Sequence, residues 1–219
     1  SASESLLFRE VLVDFDWVPG MAISQARKSV TNLHSAILEQ LGFKNVLEIS
    51  TWSLSDLGIK LSAFNLQVAV NDYQTSVETV YQSSKVFKNG GPYLDLLQGP
   101  SMAAKQDVRL KNSGQLLGFE FEEHSWPLRT SPNFYDFLYI RGLLNFDARK
   151  KLTNFEAFTD IAFSQITLDY KETKSYNCQA RSAAIYISLL NRMKESEMVA
   201  FLRSQGSVGN LSAEQLDLF

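Results

Sequence analysis

The sequence has 219 residues, 45% hydrophobic and 21% charged, which suits a soluble globular protein of one good-sized domain or two small ones. A formal net charge of -3 excludes a protein held to nucleic acid mainly by a strong basic field. The one cysteine, Cys178, excludes an intrachain disulfide and points to a reducing compartment, and with only His34 and His124 beside it a Cys/His zinc site has too few ligands.

Residues 9–17 place Val11, Val13, Phe15 and Trp17 on one face of an extended strand, which Pro19-Gly20 breaks. Residues 22–41 carry Ile23, Ala26, Val30, Leu33, Ile37 and Leu41 at the helical period, and Gly42 stands where a C-cap glycine belongs. A short strand is predicted over 46–50 and a helical turn over 53–57. Residues 66–70 and 73–75 form a hairpin about Asn71-Asp72. Ser76 caps a helix that carries Glu78. Gly90-Gly91-Pro92 reads as the stop of that helix and the start of a short one, and Pro100 opens another. Residues 116–122 read as a strand interrupted by Gly118. Ser131-Pro132 opens a helix to residue 145 that buries Phe134, Phe137, Leu138, Ile140 and Leu144. A short strand over 158–163 follows, then a helix over 178–194 capped by Asn177, a helical stretch over 198–203, a loop over 206–210 and a loosely held tail.

No repeat, low-complexity tract or linker interrupts this order, and the reading is one α+β domain, helix-rich, with a small β-sheet. No dinucleotide or phosphate glycine loop and no nucleophile elbow is present. Basic residues gather at Arg27-Lys28, at Lys105, Arg109 and Lys111, and at Arg149-Lys150-Lys151; each group reads as a solvated patch. No apolar run reaches the length of a membrane span and no signal-peptide pattern opens the sequence, so the cytoplasm is the expected location.

The chemistry-bearing stretch is residues 76–85. In a helix Glu78, Gln82 and Lys85 stand at i, i+4 and i+7, which stacks an acid, an amide and an amine along one stripe. Val77, Val80, Tyr81, Ser84 and Phe87 form the neighbouring apolar stripe. Spacing alone leaves two readings open. The stripe is the wet face of an amphipathic helix, with Glu78 complementing the helix dipole and Lys85 snorkelling over Tyr81, or it faces a cleft.

The order of elements decides between them. Leu61-Ser62-x-Phe64-Asn65, a hairpin, and then Glu78-x-x-x-Gln82-x-x-Lys85 resembles the NADAR, or YbiA-like, family, whose members recognise ADP-ribose or related N-glycosides and cleave the N-glycosidic bond. The resemblance spans residues 46–192. It includes the strand ending at Ser50, the segment 100–105, the helix of Phe134 and the Asn177 that opens the last strong helix. The chain departs from the family where a Trp-Gly pair is usual: it has Asp160 and Phe163 there, so stacking falls to Phe163, Tyr93 or Trp17. Phe15-x-Trp17-x-Pro19-Gly20 with Gln25, Asn112-Ser113-Gly114 and residues 177–182 resemble the NADAR subgroup that accompanies DarT-type toxins, which attach ADP-ribose to guanine in DNA.

The resemblance implies a division into an N-terminal extension (1–45), a NADAR-like domain (46–203) and a C-terminal tail (204–219). It implies an ADP-ribosyl glycohydrolase that acts as antitoxin by removing ADP-ribose from guanine in DNA, single-stranded by expectation, with ADP-ribose as product. A DarT-type toxin encoded nearby is the expected partner, and no metal or other cofactor is expected. Lys85, Glu78 and Asp160 are the catalytic candidates. Lys85 as a neutral amine attacks the ring-opened sugar to form a Schiff base, or a carboxylate activates water in a single displacement and Lys85 only stabilises charge. Trp17, Ser50, Ser62, Phe64, Gln82, Tyr93, Asn177, Gln179 and Arg181 are the substrate-binding candidates, Arg181 as a grip on phosphate. Two other functions stand beside this one: a glycosidase on small N-glycosides such as riboflavin-pathway intermediates, and a module that binds ADP-ribose or a toxin without catalysis.

Overall fold

In the computed structural model, which describes residues 7–128, 132–161, 178–209, 211 and 213–216, the contacts sort the chain into two compact units. One comprises Ser1–Ser62 with Asp147–Arg192, the other Ala63–Phe146 with Met193–Phe219. Helices dominate and the strands form small sheets, the α+β class expected.

The first unit is organised by helix α1 (Ile23–Leu41), which buries Ala26, Val30, Leu33 and Ile37 and ends at Gly42 in the left-handed conformation. Residues 9–17 form no strand. Val13, Phe15 and Trp17 do pack on the Val30, Leu33 and Ile37 cluster, as their alternation predicts, whereas Val11, expected on the same face, is exposed. Their backbone, however, is satisfied by side chains of α1: Asn32 donates to the Asp16 carbonyl (2.8 Å), Gln40 to that of Asp14 (2.8 Å), and Ser29 Oγ accepts from the Val18 N–H (2.9 Å). A segment whose polar groups are met this way needs no partner strand. The break at Pro19-Gly20 is real; Gly20 has φ +131° and the Gln25 side chain fills the place of a Cβ.

Strand β1 (Val46–Glu48) pairs in parallel with a strand near residue 158, and Ser55 caps the short helix α2 (Asp56–Lys60), slightly later than the predicted turn. The partner strand (Ala157–Thr159) and a helix over Gln179–Leu190 complete the unit. That helix has Cys178 as its N-cap residue, with Sγ accepting from the Arg181 N–H at 3.5 Å; Asn177, predicted as the cap, lies outside the described residues, as does Phe163.

The second unit opens with the predicted hairpin, β2 (Gln67–Val70) and β3 (Tyr73–Ser76), with Asn71 at φ 51° in the turn. Helix α3 (Val77–Ser83) follows, capped by Ser76 as expected. It stops two residues short of what the stripe requires: Lys85 begins strand β4 (Lys85–Phe87), the edge of an antiparallel sheet with β5 (Leu116–Phe121) and β6 (His124–Pro127). Gly90-Gly91-Pro92 is therefore the turn after a strand and not a helix stop. A 3-10 turn (Leu94–Gln98) and helices α4 (Ser101–Gln106) and α5 (Arg109–Asn112) lead to β5.

Helix α6 (Phe134–Asn145) is capped by Asn133 rather than at Ser131-Pro132: Asn133 Oδ1 accepts from the Asp136 N–H and Asp136 Oδ2 from the Asn133 N–H, both at 3.0 Å. Its rings join those of the sheet, with centroids 4.8 Å apart for Phe119–Phe134 and 4.6 Å for Trp126–Phe137, a core of offset and tilted aromatics. The tail is not loosely held throughout, because Leu216 is buried against Val86 and Leu117. Numbering the remaining elements in chain order, the helix over Arg149–Leu152 is α7, the strand over Ala157–Thr159 is β7, Gln179–Leu190 is α8, Glu195–Gly206 is α9 and Ala213–Leu216 is α10. Among the described residues no helix is long and apolar enough to cross a membrane.

Candidate functional site

In the second unit the polar stripe of α3 is buried. Glu78 is 2% exposed and Gln82 5%, so the wet-face reading fails for both. The start of α3 is locked from outside: the Glu78 N–H donates to the Ala63 carbonyl and the Val77 N–H to that of Leu66, each at 2.9 Å, which brings the Phe64 loop against the helix. A chain of hydroxyls extends this lock. Ser101 Oγ donates to the Phe64 carbonyl (3.0 Å), so it accepts from Ser76 Oγ (2.9 Å); Ser76, its one hydrogen spent, accepts from the Thr79 hydroxyl (2.8 Å) and the Thr79 N–H (3.0 Å). This chain pins the first turn of α4 to the first turn of α3.

One turn along α4 from Ser101 stands Lys105. Its Nζ lies 3.6 Å from Glu78 Oε1 and 4.7 Å from the centroid of the Phe64 ring. Gln82 Nε2 donates to the same oxygen at 2.9 Å. Glu78 Oε2 makes no hydrogen bond among the described residues. Lys85 is half-buried, with Nζ 5.1 Å above the Tyr81 ring, and that ring is packed between Phe119 and Tyr135 at 5.0 and 5.2 Å. Burial pulls the Lys85 amine down to about 8; the Glu78 carboxylate opposes this and the Lys105 charge reinforces it. The turn after β4 holds the Lys85 backbone, since Gly91, at φ +86°, lies so close to the Lys85 carbonyl that a Cβ there would stand 2.2 Å from the oxygen. An acid, an amide, a tuned amine and a ring thus converge on one place. An amine lowered this far carries a neutral fraction near physiological pH that an ordinary lysine lacks, and the carboxylate that acts on it is Glu78.

The Tyr93 N–H donates to the Ser83 carbonyl (2.8 Å), which ties Tyr93 to the end of α3, and its hydroxyl bonds Ser113 Oγ. Arg109 stacks on Tyr93 at 4.5 Å but is fully engaged: it pairs bidentately with Asp95 (2.7 and 3.1 Å) and Asp107 (2.9 Å twice). Neutralised by two acids, Arg109 is a clamp and not a phosphate grip.

In the first unit Asp160 is 6% exposed, and its Oδ2 accepts from the Gln179 N–H (3.2 Å) and side-chain amide (3.1 Å). Two predicted site residues thereby meet at the start of α8, with Arg181 half-buried two residues on. Ser50 is buried and accepts from the Trp52 N–H; Ser62 donates to the Ile59 carbonyl at 2.7 Å, a bond within its own turn. Trp17 packs on the α1 cluster and against Phe15, ring centroids 6.4 Å apart. Cys178 is buried, and burial with the Asp160 charge pushes its thiol up to about 12, so it is no nucleophile.

A second buried acid, Glu48, escapes the sequence reading. It is 1% exposed; Oε2 accepts from Thr159 Oγ1 (2.5 Å) and Oε1 from the Ile161 N–H (3.0 Å), while Thr159 also meets His34 Nε2 at 3.1 Å. Burial raises the Glu48 carboxyl and lowers the His34 ring, so both are drawn toward neutrality. The alternation of Val46, Glu48 and Ser50 on one strand face was the available signal. For Lys105, the other missed residue, the signal was its place four residues after Ser101 in a helix opened by Pro100. Among the described residues no group of His, Cys, Asp and Glu side chains gathers as a metal site would.

Comparison with known proteins places these arrangements in context. A family model described as DarT1-associated NADAR antitoxin matches residues 1–211. No curated protein matches the chain.

Proposed function

The chain belongs to the DarT1-associated NADAR antitoxin family, and from that premise we propose that it removes ADP-ribose from guanine in DNA by cleaving the N-glycosidic bond. The observation that carries this reading is the half-buried Lys85 amine, lowered to about 8, beside the buried and anchored Glu78 carboxylate. The ribose attached to the guanine amine opens to an imine. Lys85 Nζ adds to C1, and Glu78 takes the proton released by the amine and delivers it to the guanine nitrogen, which leaves. The Lys85 Schiff base then takes up water, releasing ADP-ribose and restoring the free amine; the net change is one water consumed and one C–N bond broken. Phe64 and Tyr93, in the same compact unit as Lys85, offer rings for stacking.

The test is incubation with an oligonucleotide carrying ADP-ribosylated guanine, with products identified by mass. Release of intact ADP-ribose and unmodified DNA supports the hydrolase. Release from small N-glycosides but not from the oligonucleotide assigns the chain to small substrates, and binding without release makes it a binding module. Borohydride during turnover traps a Lys85 adduct if the Schiff base forms, and traps nothing in a single displacement.

A further inference from the structure

Glu78 is a buried carboxylate with two lysines in its neighbourhood, and it is ion-paired to the one that is less buried. Lys105 holds Oε1 at 3.6 Å although its own side chain is 49% exposed, whereas Lys85 forms no ion pair among the described residues. We infer that Lys105 is a positioning residue: by occupying the carboxylate, it leaves the Lys85 amine unpaired and available as a nucleophile. The inference rests on the proposed role of Lys85.

The placement of Lys105 is built into the fold. The hydroxyl chain from Phe64 through Ser101 and Ser76 to Thr79 fixes the start of α4 on α3, and Lys105 stands one turn further, where its ammonium also rides over the Phe64 ring. The charged groups acting on Lys85 are Glu78 from α3 and Lys105 from α4; its register partner on β5 is Phe119, and its Nζ lies over the Tyr81 ring. Removing Lys105 therefore acts twice in the same direction. It deletes a like charge near Lys85 and frees Glu78 to pair with it, and both changes favour the protonated amine.

The experiment reads Lys85 without substrate. Wild-type, Lys105→Met and Lys105→Arg proteins are labelled briefly with acetic anhydride across pH 6–10, and Lys85 acylation is followed by peptide mass, with melting curves to confirm the fold. The wild-type midpoint is expected near pH 8. Lys105→Met should raise it by about one pH unit or more and cut labelling at neutral pH severalfold, while Lys105→Arg, which keeps the charge, should stay near the wild type. A folded Lys105→Met with an unmoved midpoint overturns the inference and leaves the hydrolase reading standing. The pH–rate profile on the modified oligonucleotide gives the second arm. The rise in rate should move to higher pH with Lys105→Met and recover there; a loss equal at every pH makes Lys105 a substrate contact and overturns the positioning role. A wild type that labels as expected but releases nothing overturns the hydrolase alone.

Discussion

Glu78 and Glu48 lie in different compact units and are almost equally hidden from water, yet their burial is compensated in opposite ways. Around Glu48 the partners are short and fixed: the hydroxyls of Thr159 and Ser50, a backbone N–H and, behind the threonine, an imidazole. Among the described residues no cation pairs with it, and burial pushes its carboxyl above the ordinary range. Around Glu78 the partners are an amide one helical turn away and the ammonium of a long, half-exposed lysine. The first arrangement closes a polar network inside a strand pair. The second keeps a charge at the end of a flexible chain that reaches solvent. Burial alone is thus the same for both acids, and what distinguishes them is the charge and reach of their partners.

The largest expected effect is at Lys85. Lys85→Ala should reduce release of ADP-ribose by at least about a thousandfold while leaving the melting temperature near wild type, because a half-buried amine over a ring contributes little to packing. In the wild type the rate should rise as pH climbs through about 8, where the amine loses its proton. Near-normal turnover by folded Lys85→Ala would return the residue to the surface. Glu78→Gln keeps size and hydrogen bonding and removes the titrating group. A fall of about 10²–10⁴ in rate at saturation with substrate affinity kept is expected; lost affinity with an unchanged rate would make Glu78 a ligand contact and break the contrast with Glu48.

The contrast sharpens in stability at Glu48. Glu48→Ala leaves the Thr159 hydroxyl and the Ile161 N–H short of a partner, which should cost about 1–3 kcal/mol for each group left unsatisfied. Glu48→Gln should do little harm, since its carbonyl still accepts from Ile161 and its amide donates to Thr159. The sign of its pH dependence follows from the raised carboxyl. The folded state binds this proton more tightly than the unfolded chain, so the contribution is full below about pH 4.5 and is lost as pH rises through the folded value. Glu48→Gln should therefore gain on the wild type in melting temperature as pH rises from 4.5 toward neutrality; parallel curves would place a compensating charge beside Glu48. The smallest expected effect is at Trp17, where loss of a half-buried ring should cost about 1–2 kcal/mol of stability. A Trp17→Ala substitution that weakens binding to modified DNA more than binding to free ADP-ribose, at an unchanged melting temperature, would instead assign Trp17 to base stacking.

The sequence reading reached α1, the hairpin, the Ser76 cap and the pairing of Glu78 with Gln82, because each rests on residues within a turn or a pleat of one another. The Gly42 C-cap and the Asn71-Asp72 turn belong to the same class: one residue's conformational preference decides them. The strand over residues 9–17 failed because alternation predicts which side chains are buried and not what satisfies the backbone; Ser29, Asn32 and Gln40, reaching out from α1, did that work. The cap at Asn133 was open to the same local rules, since Asp136 stands three residues on in the capping-box position.

By itself, then, the sequence determined the α+β class, the family and the order in which Phe64, Glu78, Gln82 and Lys85 meet, since these follow from local pattern and from motif order. Tertiary structure alone decided that Lys85 leaves the helix. Val86 and Phe87 gain burial in the sheet, and the Glu120 N–H takes the Ser84 carbonyl (2.8 Å), so pairing with β5 outweighs one more helical turn. It alone brought Lys105 to Glu78, through a bond between serines 25 positions apart in the chain, and it alone drew Glu48, Thr159 and His34 together. Such partnerships are selected by packing between elements distant in sequence, and helical or strand periodicity carries no record of that choice.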